Sequence, residues 1–351
     1  MRSEASESSG PSIWWFAFGY FAAYAPYSAL TKALSSGTMP GQDGALDGFT
    51  ILPASTLASL LGMFAFLGFS GWLRHAGQRR VLGMSLPVPS IWTFLSGVAT
   101  SAVIATTTLA YTFEGVSIVF VMLLMRGGVL ILAPIVDATS GRKVQWFSWA
   151  GLALSMAALI VAFAEEGGYD ITLLCAIDVA VYLAAYFVRL RFMSRLAKSE
   201  SGDQNKRFFV EEQMVATPVL IVGLALVAVF GGPGAIPEAL RVGFVDIWSS
   251  PVLISVLIVG VLSQGTGIFG GLILLDKREN TYCVPVNRSS SILSGVLASF
   301  GLSLFLGMSA PSGFELAGAG LVLAAIAVLT VPPLLAKRRA TVAPAPERKS
   351  A

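Results

Sequence analysis

Two arginines, Arg126 and Arg288, interrupt long apolar stretches of this chain and stand 162 positions apart. A guanidinium is a planar fork of N–H donors that stays charged at any physiological pH, so it suits carboxylate and phosphate groups. At mid-membrane depth an arginine costs about 2.5–3.5 kcal/mol on insertion scales, and it normally faces a bundle interior, a cavity or a counter-charge. Each has an acid upstream at one spacing, Glu114 before Arg126 and Asp276 before Arg288. A rise of about 1.5 Å per residue then puts each arginine roughly 18 Å from its acid, near the middle of a spanning helix. The reading that follows is a pair of arginines facing one central cavity and receiving an anionic group. The alternative is a pair of structural arginines satisfied by helix carbonyls or neighbouring acids.

Other polar residues can join them. Asp178, Tyr182 and Tyr186 are spaced i, i+4, i+8 and share one helical face; Tyr20, Tyr24 and Ser28 form a matching stripe, with Lys32 one turn on. Tyrosines there could stack on or hydrogen-bond a ligand, or simply join helices. Asp178 could neutralise Arg126 or Arg288, or carry a proton. Asn287 precedes Arg288, and Ser289, Ser290 and Ser291 follow it; Arg126 is followed by Gly127 and Gly128. Small residues leave room for a ligand or allow close helix approach, which is their commoner use in membrane helices. Gln264, with Ser263 and Thr266, lies among glycines, of which Gly267 and Gly271 form a packing pair. Thr106, Thr107 and Thr108 add hydroxyls to another apolar run. The candidate substrate-binding set is therefore Arg126, Arg288, Asp178, Tyr20, Tyr24, Tyr182, Tyr186, Ser289, Gln264 and Asn287.

The elements that must position these groups are membrane helices. Of 351 residues, 55% are hydrophobic and 12% charged, with mean hydropathy +0.76; a soluble domain carries roughly 25% charged residues. Ten spans are expected, at about 13–33, 51–73, 91–111, 114–137, 146–164, 171–190, 213–231, 250–274, 281–306 and 314–335. Tyr20-Phe21-Ala22-Ala23-Tyr24 recurs as Tyr182-Leu183-Ala184-Ala185-Tyr186 at the offset that separates the arginines. This predicts an all-α integral membrane protein of two five-helix repeats, 13–165 and 166–336. Repeats with an odd number of spans must be inverted with respect to each other, the signature of a secondary transporter with its site between the repeats.

Basic residues fix the expected orientation. Arg74, Arg79, Arg80, Arg142, Lys143, Arg189, Arg191, Arg195, Lys198, Lys206, Arg207, Lys277 and Arg278 fall in loops on one side. The other side carries Asp43, Asp47, Glu165, Glu166, Asp170, Glu238 and Asp246, with Arg241 its clear base. The positive-inside pattern puts both termini in the cytoplasm. Residues 195–207 read as a charged linker between the halves. Residues 1–12 and 337–351 read as disordered tails, polar and Ser-rich, then basic and Pro-rich. The first apolar run is too long for a signal-peptide core.

Several chemistries are excluded by composition. The single histidine, His75, lies in a basic loop, and Cys175 and Cys283 begin spans entered from opposite faces, so neither a zinc site nor a disulfide is expected. No Gly-rich loop ends in Lys-Ser/Thr, so ATP hydrolysis is not expected. The chain reads as no enzyme, with no cofactor, no metal and no nucleic-acid partner. Its expected partners are a small-molecule substrate and membrane lipid, as a monomer or homodimer.

The stretch 120–164, FVMLLMRGGVLILAPIVDATSGRKVQWFSWAGLALSMAALIVAFA, resembles the fourth-to-fifth span unit of the drug/metabolite transporter superfamily, EamA-like. Residues 282–329 resemble its second copy, with Gly318 and Gly320 in the closing helix. Met-Arg-Gly-Gly at 125–128 and Asn-Arg-Ser-Ser at 287–290 are nearest the nucleotide-sugar and phosphorylated-sugar translocator branch. The resemblance implies ten spans, cytoplasmic termini and alternating access. Two features depart from other branches. Ser140-Gly141-Arg142 and Leu306-Gly307-Met308 lack the acid common after spans four and nine, and span one carries no glutamate of the kind small multidrug exporters use. The expected function is transport of a small polar or anionic metabolite across a bacterial inner membrane, with a site between spans 1, 3, 4, 6, 8 and 9. Export of drugs or neutral metabolites is the alternative; a non-transporting scaffold or a lipid-modifying enzyme are the alternatives of another class.

Overall fold

A computed structural model describes residues 13–81, 84–139, 146–164, 171–196, 202–276 and 280–342. It runs α1 (Ile13–Ser35), α2 (Gly48–Phe69), a 3-10 turn (Trp72–His75), β1 (Gln78–Val81), β2 (Met84–Pro87) and α3 (Ile91–Ala110). Next come α4 (Ile118–Met122), a π-helical turn (Leu123–Gly127), α5 (Gly128–Thr139) and α6 (Trp146–Phe163). The rest is α7 (Leu173–Leu196), α8 (Gly202–Phe230), α9 (Ala235–Phe244), α10 (Leu253–Leu274), α11 (Asn280–Leu306) and α12 (Gly313–Val342).

Among the described residues, seven stretches are long and apolar enough to cross a membrane: Gly48–Phe69, Ile91–Ala110, Leu173–Met193, Gln204–Phe230, Leu253–Leu274, Cys283–Leu306 and Gly313–Pro332. Ile118–Leu132 and Trp149–Phe163 are shorter apolar helices. The distribution of side chains points the same way. Trp14, Trp15, Phe69, Leu173, Phe230, Leu304 and Phe305 are exposed, whereas Arg126, Arg189, Glu211, Glu212, Gln264 and Arg288 are buried. Water-soluble proteins place these residue types the other way round. The chain is a helical integral membrane protein.

Local chemistry sets where helices begin. Asp47 caps α2 by accepting from the Phe49 N–H at 2.7 Å, Ser90 caps α3 through the Thr93 N–H, and Ser117 caps α4 through the Phe120 N–H. The short break between α3 and α4 turns through Gly115, whose φ of 70° favours glycine. α1 packs on α10 and α7 packs on α3, while α2 packs on α10 and α8 packs on α3. α6 and α12 pair with each other, and α11 lies against α1 and α4.

Three expectations about the connections change. The stretch after α2 includes a small antiparallel hairpin, with Arg79 opposite Leu86 and Arg80 opposite Ser85, so the chain is not helical throughout. The charged linker expected at 195–207 shrinks, because α7 runs to Leu196 and α8 starts at Gly202; 197–201 lie outside the described residues. α12 continues through residues 337–342, where a tail is expected. The tails 1–12 and 343–351 lie outside the described residues.

Candidate functional site

The π-helical turn carries Arg126. A π turn widens the helix by one residue and recurs at functional sites. Here Gly127 and Gly128 follow Arg126 directly, and a side chain at Gly128 would collide with Leu183 of α7. Arg126 is 2% exposed; its Nη1 donates to the Tyr182 hydroxyl and its Nη2 to the Tyr24 hydroxyl. Its guanidinium carbon also lies 5.3 Å and 5.2 Å from the Tyr24 and Tyr182 ring centroids, within cation–π range.

Arg288, on α11, is fully buried. Its Nη1 donates to the Tyr182 hydroxyl at 3.4 Å, and its guanidinium lies 4.6 Å from the centre of the Tyr186 ring. One hydroxyl oxygen therefore accepts from both arginines. Among the described residues neither arginine has a carboxylate within 4.0 Å, and Arg126 Nε, Arg288 Nε and Arg288 Nη2 have no hydrogen-bond partner. Two positive charges are held by aromatic faces and phenol oxygens, with donors to spare.

Six of the eight tyrosines build this layer. The rings of Tyr20 and Tyr24 pack tilted at 5.1 Å, those of Tyr182 and Tyr186 at 4.7 Å, and Tyr27 and Tyr111 pack edge-on against Tyr24. The Tyr24 and Tyr111 hydroxyls bond at 2.7 Å, and Tyr27 bonds Thr108 Oγ1 at 2.8 Å. A cavity of about 80 Å³ lies against the layer, lined by Tyr20, Tyr24, Tyr27, Arg126 and Tyr186, by Thr100 and Thr107 of α3, and by Gln213, Gln264 and Asn287.

Arg189 also lines that cavity, and its place corrects the sequence reading. Expected in a loop, it is buried on α7 and paired with Glu212 of α8, Nε to Oε1 at 2.9 Å and Nη2 to Oε2 at 2.7 Å. Glu212 Oε1 accepts further from Ser96 at 2.6 Å and Thr100 at 3.0 Å. The adjacent Glu211 accepts from the backbone N–H of Gly77 and Ser90, from Thr93 and from Arg207. Two consecutive acids thus tie α8 to α3, α7 and the base of the hairpin. Both fall in a stretch expected to be mostly loop. Their signal was present as adjacent acids flanked by Phe208, Phe209 and Val210 on one side and Met214 and Val215 on the other.

At the opposite end a cleft of about 560 Å³ is lined by Lys32, Glu114, Glu315 and several serines. Lys32 Nζ donates there to the Phe113 and Val116 carbonyls at 2.8 Å and 3.0 Å, and Ser117 donates to Glu315.

Of the ten expected site residues, Arg126, Arg288, Tyr20, Tyr24, Tyr182 and Tyr186 converge on the aromatic layer, and Gln264 and Asn287 line its cavity. Ser289 does not join them: its hydroxyl donates to the Val286 carbonyl of its own helix at 3.0 Å. Asp178 is buried, but no ion pair joins it to either arginine, so the expected counter-charge role fails in this conformation; its Oδ2 has no partner among the described residues. Gly271 packs tightly on Phe209, but Gly267 does not; the second close approach is at Gly270, against Tyr20 and Asn287.

No protein-family model and no curated protein matches this sequence. A solved structure described only as "Crystal structure of protein" superposes with a TM-score of 0.56 at 16% identity. The match covers 94% of this chain and 99% of that one, a likeness of fold over nearly the whole length.

Proposed function

We propose that this protein is a secondary transporter that moves a small anionic metabolite across the membrane by alternating access. The observation that carries the reading is the pair of buried arginines that share the Tyr182 hydroxyl, with unpartnered N–H groups and no carboxylate in ion-pair range among the described residues. A scaffold gains nothing from two uncompensated charges at this depth. A transporter uses them to bind an anion that neutralises them. Arginine forks favour carboxylate and phosphate oxygens for this.

The reading includes ten spans in two inverted repeats, with the site between them. Packing supports it. Shifting positions by 162 turns α1 into α7, α3 into α10 and α2 into α8, and the pairs α1–α10 and α2–α10 become α7–α3 and α8–α3, all of which are in contact. The same shift turns the Arg126–Tyr24 contact into Arg288–Tyr186. The resemblance to the drug/metabolite transporter superfamily agrees with this arrangement. In it both termini and the hairpin face the cytoplasm, and the cleft at Lys32 opens to the outside.

Purified protein in proteoliposomes tests the function. Saturable, counterflow-stimulated uptake of at least one small carboxylate or phosphate ester is expected after a thermal-shift screen of anionic and neutral metabolites. If anions neither shift the unfolding temperature nor accumulate, the reading is wrong. Single-cysteine labelling with an impermeant reagent tests the topology. Positions 43, 166, 238 and 310 are expected to label from outside, and 78, 142, 203 and 345 only after permeabilisation. Labelling of 142 and 166 from the same side would exclude the inverted ten-span arrangement.

A further inference from the structure

Gln264 and Asn287 add neutral polar groups to the cavity that Arg126 also lines, and their hydrogen bonding is incomplete. Asn287 is 2% exposed and lines the cavity, yet its Oδ1 has no hydrogen-bond partner among the described residues. Gln264, 3% exposed, accepts from Ser59 Oγ at 2.8 Å, but among the described residues its Nε2 reaches only the Met63 Sδ at 3.6 Å. A thioether is a weak acceptor. The wall therefore presents an acceptor without a donor and a donor with a poor acceptor. Leaving a buried polar group in that condition is costly, and a ligand group that enters the cavity can complete the bonding.

A hydroxyl is the group that meets both needs, because it donates one hydrogen bond and accepts two. An apolar substituent meets neither. The cavity of about 80 Å³ has room for a ligand of about half a dozen non-hydrogen atoms. Building on the anion-transport reading above, we infer that the Asn287–Gln264 wall is a hydroxyl subsite and that the preferred ligands are small hydroxycarboxylates. The carboxylate belongs on the arginine side and the hydroxyls on the carboxamide side. Gly270 fits this division, since a side chain there would press on Tyr20 and on the Asn287 amide at once.

Selectivity follows from the physics of unpaired groups. A site built to hydrogen-bond a hydroxyl rejects an analogue that lacks it far more strongly than an apolar pocket separates ligands differing by a methylene. The experiment measures binding of propionate, lactate, glycerate and glycerol to the full-length protein in detergent, by calorimetry and thermal shift. Glycerate is expected to bind at least about tenfold tighter than propionate, with lactate between them and glycerol weakest. In Asn287→Leu the glycerate-to-propionate ratio is expected to fall to within about threefold. Gln264→Leu is expected to lower the same ratio, which keeps the test open if one variant does not fold. Equal affinity of propionate and glycerate for the native protein would overturn the hydroxyl subsite while leaving the anion site standing. A ratio unchanged in both variants that fold would overturn the assignment to these two residues. Glycerol binding as tightly as glycerate, or no binding by any of the four, would overturn both this inference and the anion reading on which it rests.

Discussion

Arg126→Ala and Arg288→Ala are each expected to weaken anion binding by at least about 100-fold and to abolish transport, with insertion and yield nearly unchanged. Each guanidinium can give a bound anion two charge-assisted hydrogen bonds, and such bonds contribute about 1.5–3 kcal/mol apiece. Removal should not unfold the protein, because an unpaired buried charge leaves with the side chain. The tyrosines that cradle it also keep other contacts: Tyr24 remains bonded to Tyr111, and Tyr182 remains packed on Tyr186. Arg126→Lys is expected to recover little. An ammonium cannot donate to Tyr24 and Tyr182 and also offer a planar edge to the ligand. Wild-type affinity in both alanine variants, for whichever anion the native protein binds, would return the arginines to a structural role. Loss of affinity with collapse of the folded yield would do the same.

The arginines and tyrosines were legible because they break strong patterns. A charge inside an apolar run is conspicuous, and two at one spacing, with a tyrosine echo at the same spacing, point to a shared location. What sequence could not give was partnership. Asp178 looks like the natural partner of an arginine, yet helix rotation and depth leave it unpaired with either, and phenol oxygens hold the guanidinium groups instead. Ser289 lies next to Arg288 in sequence, but adjacent positions on a helix point about 100° apart, and its hydroxyl turns back to its own backbone. The π turn at Leu123–Gly127 has no composition of its own beyond the glycine pair, so the rotation it gives Arg126 is set by packing against α7. Arg189 was misplaced for a simpler reason. It sits in a dense run of basic residues near the end of α7, which reads as a membrane flank until Glu212, 23 positions on, is seen to fold back against it.

That fold-back carries the largest stability effect expected in this protein. Glu212→Ala should destabilise it by about 3–5 kcal/mol, because Arg189 would be left buried and charged without its bidentate partner. For a chain of this length that corresponds to a fall of roughly 5 °C in the midpoint of thermal unfolding in detergent. Ser96 and Thr100 would lose their acceptor as well, but a hydroxyl on a helix can turn to the carbonyl one turn back, so their share is small. Two further variants separate a structural ion pair from mere crowding. Arg189→Met combined with Glu212→Leu removes both charges and keeps apolar bulk, and it should return the midpoint to within about 2 °C of native, since a buried pair replaced by apolar side chains is often neutral or better. Glu212→Gln keeps the shape and one acceptor but not the charge, and should fall between. The midpoint is the readout rather than transport, because Arg189 also lines the cavity and its loss would change the charge seen by a ligand. If Glu212→Ala leaves the midpoint unchanged, or if the double variant is as unstable as the single, then Arg189 is satisfied by other groups and the two acids of α8 do not lock it to α3 and α7.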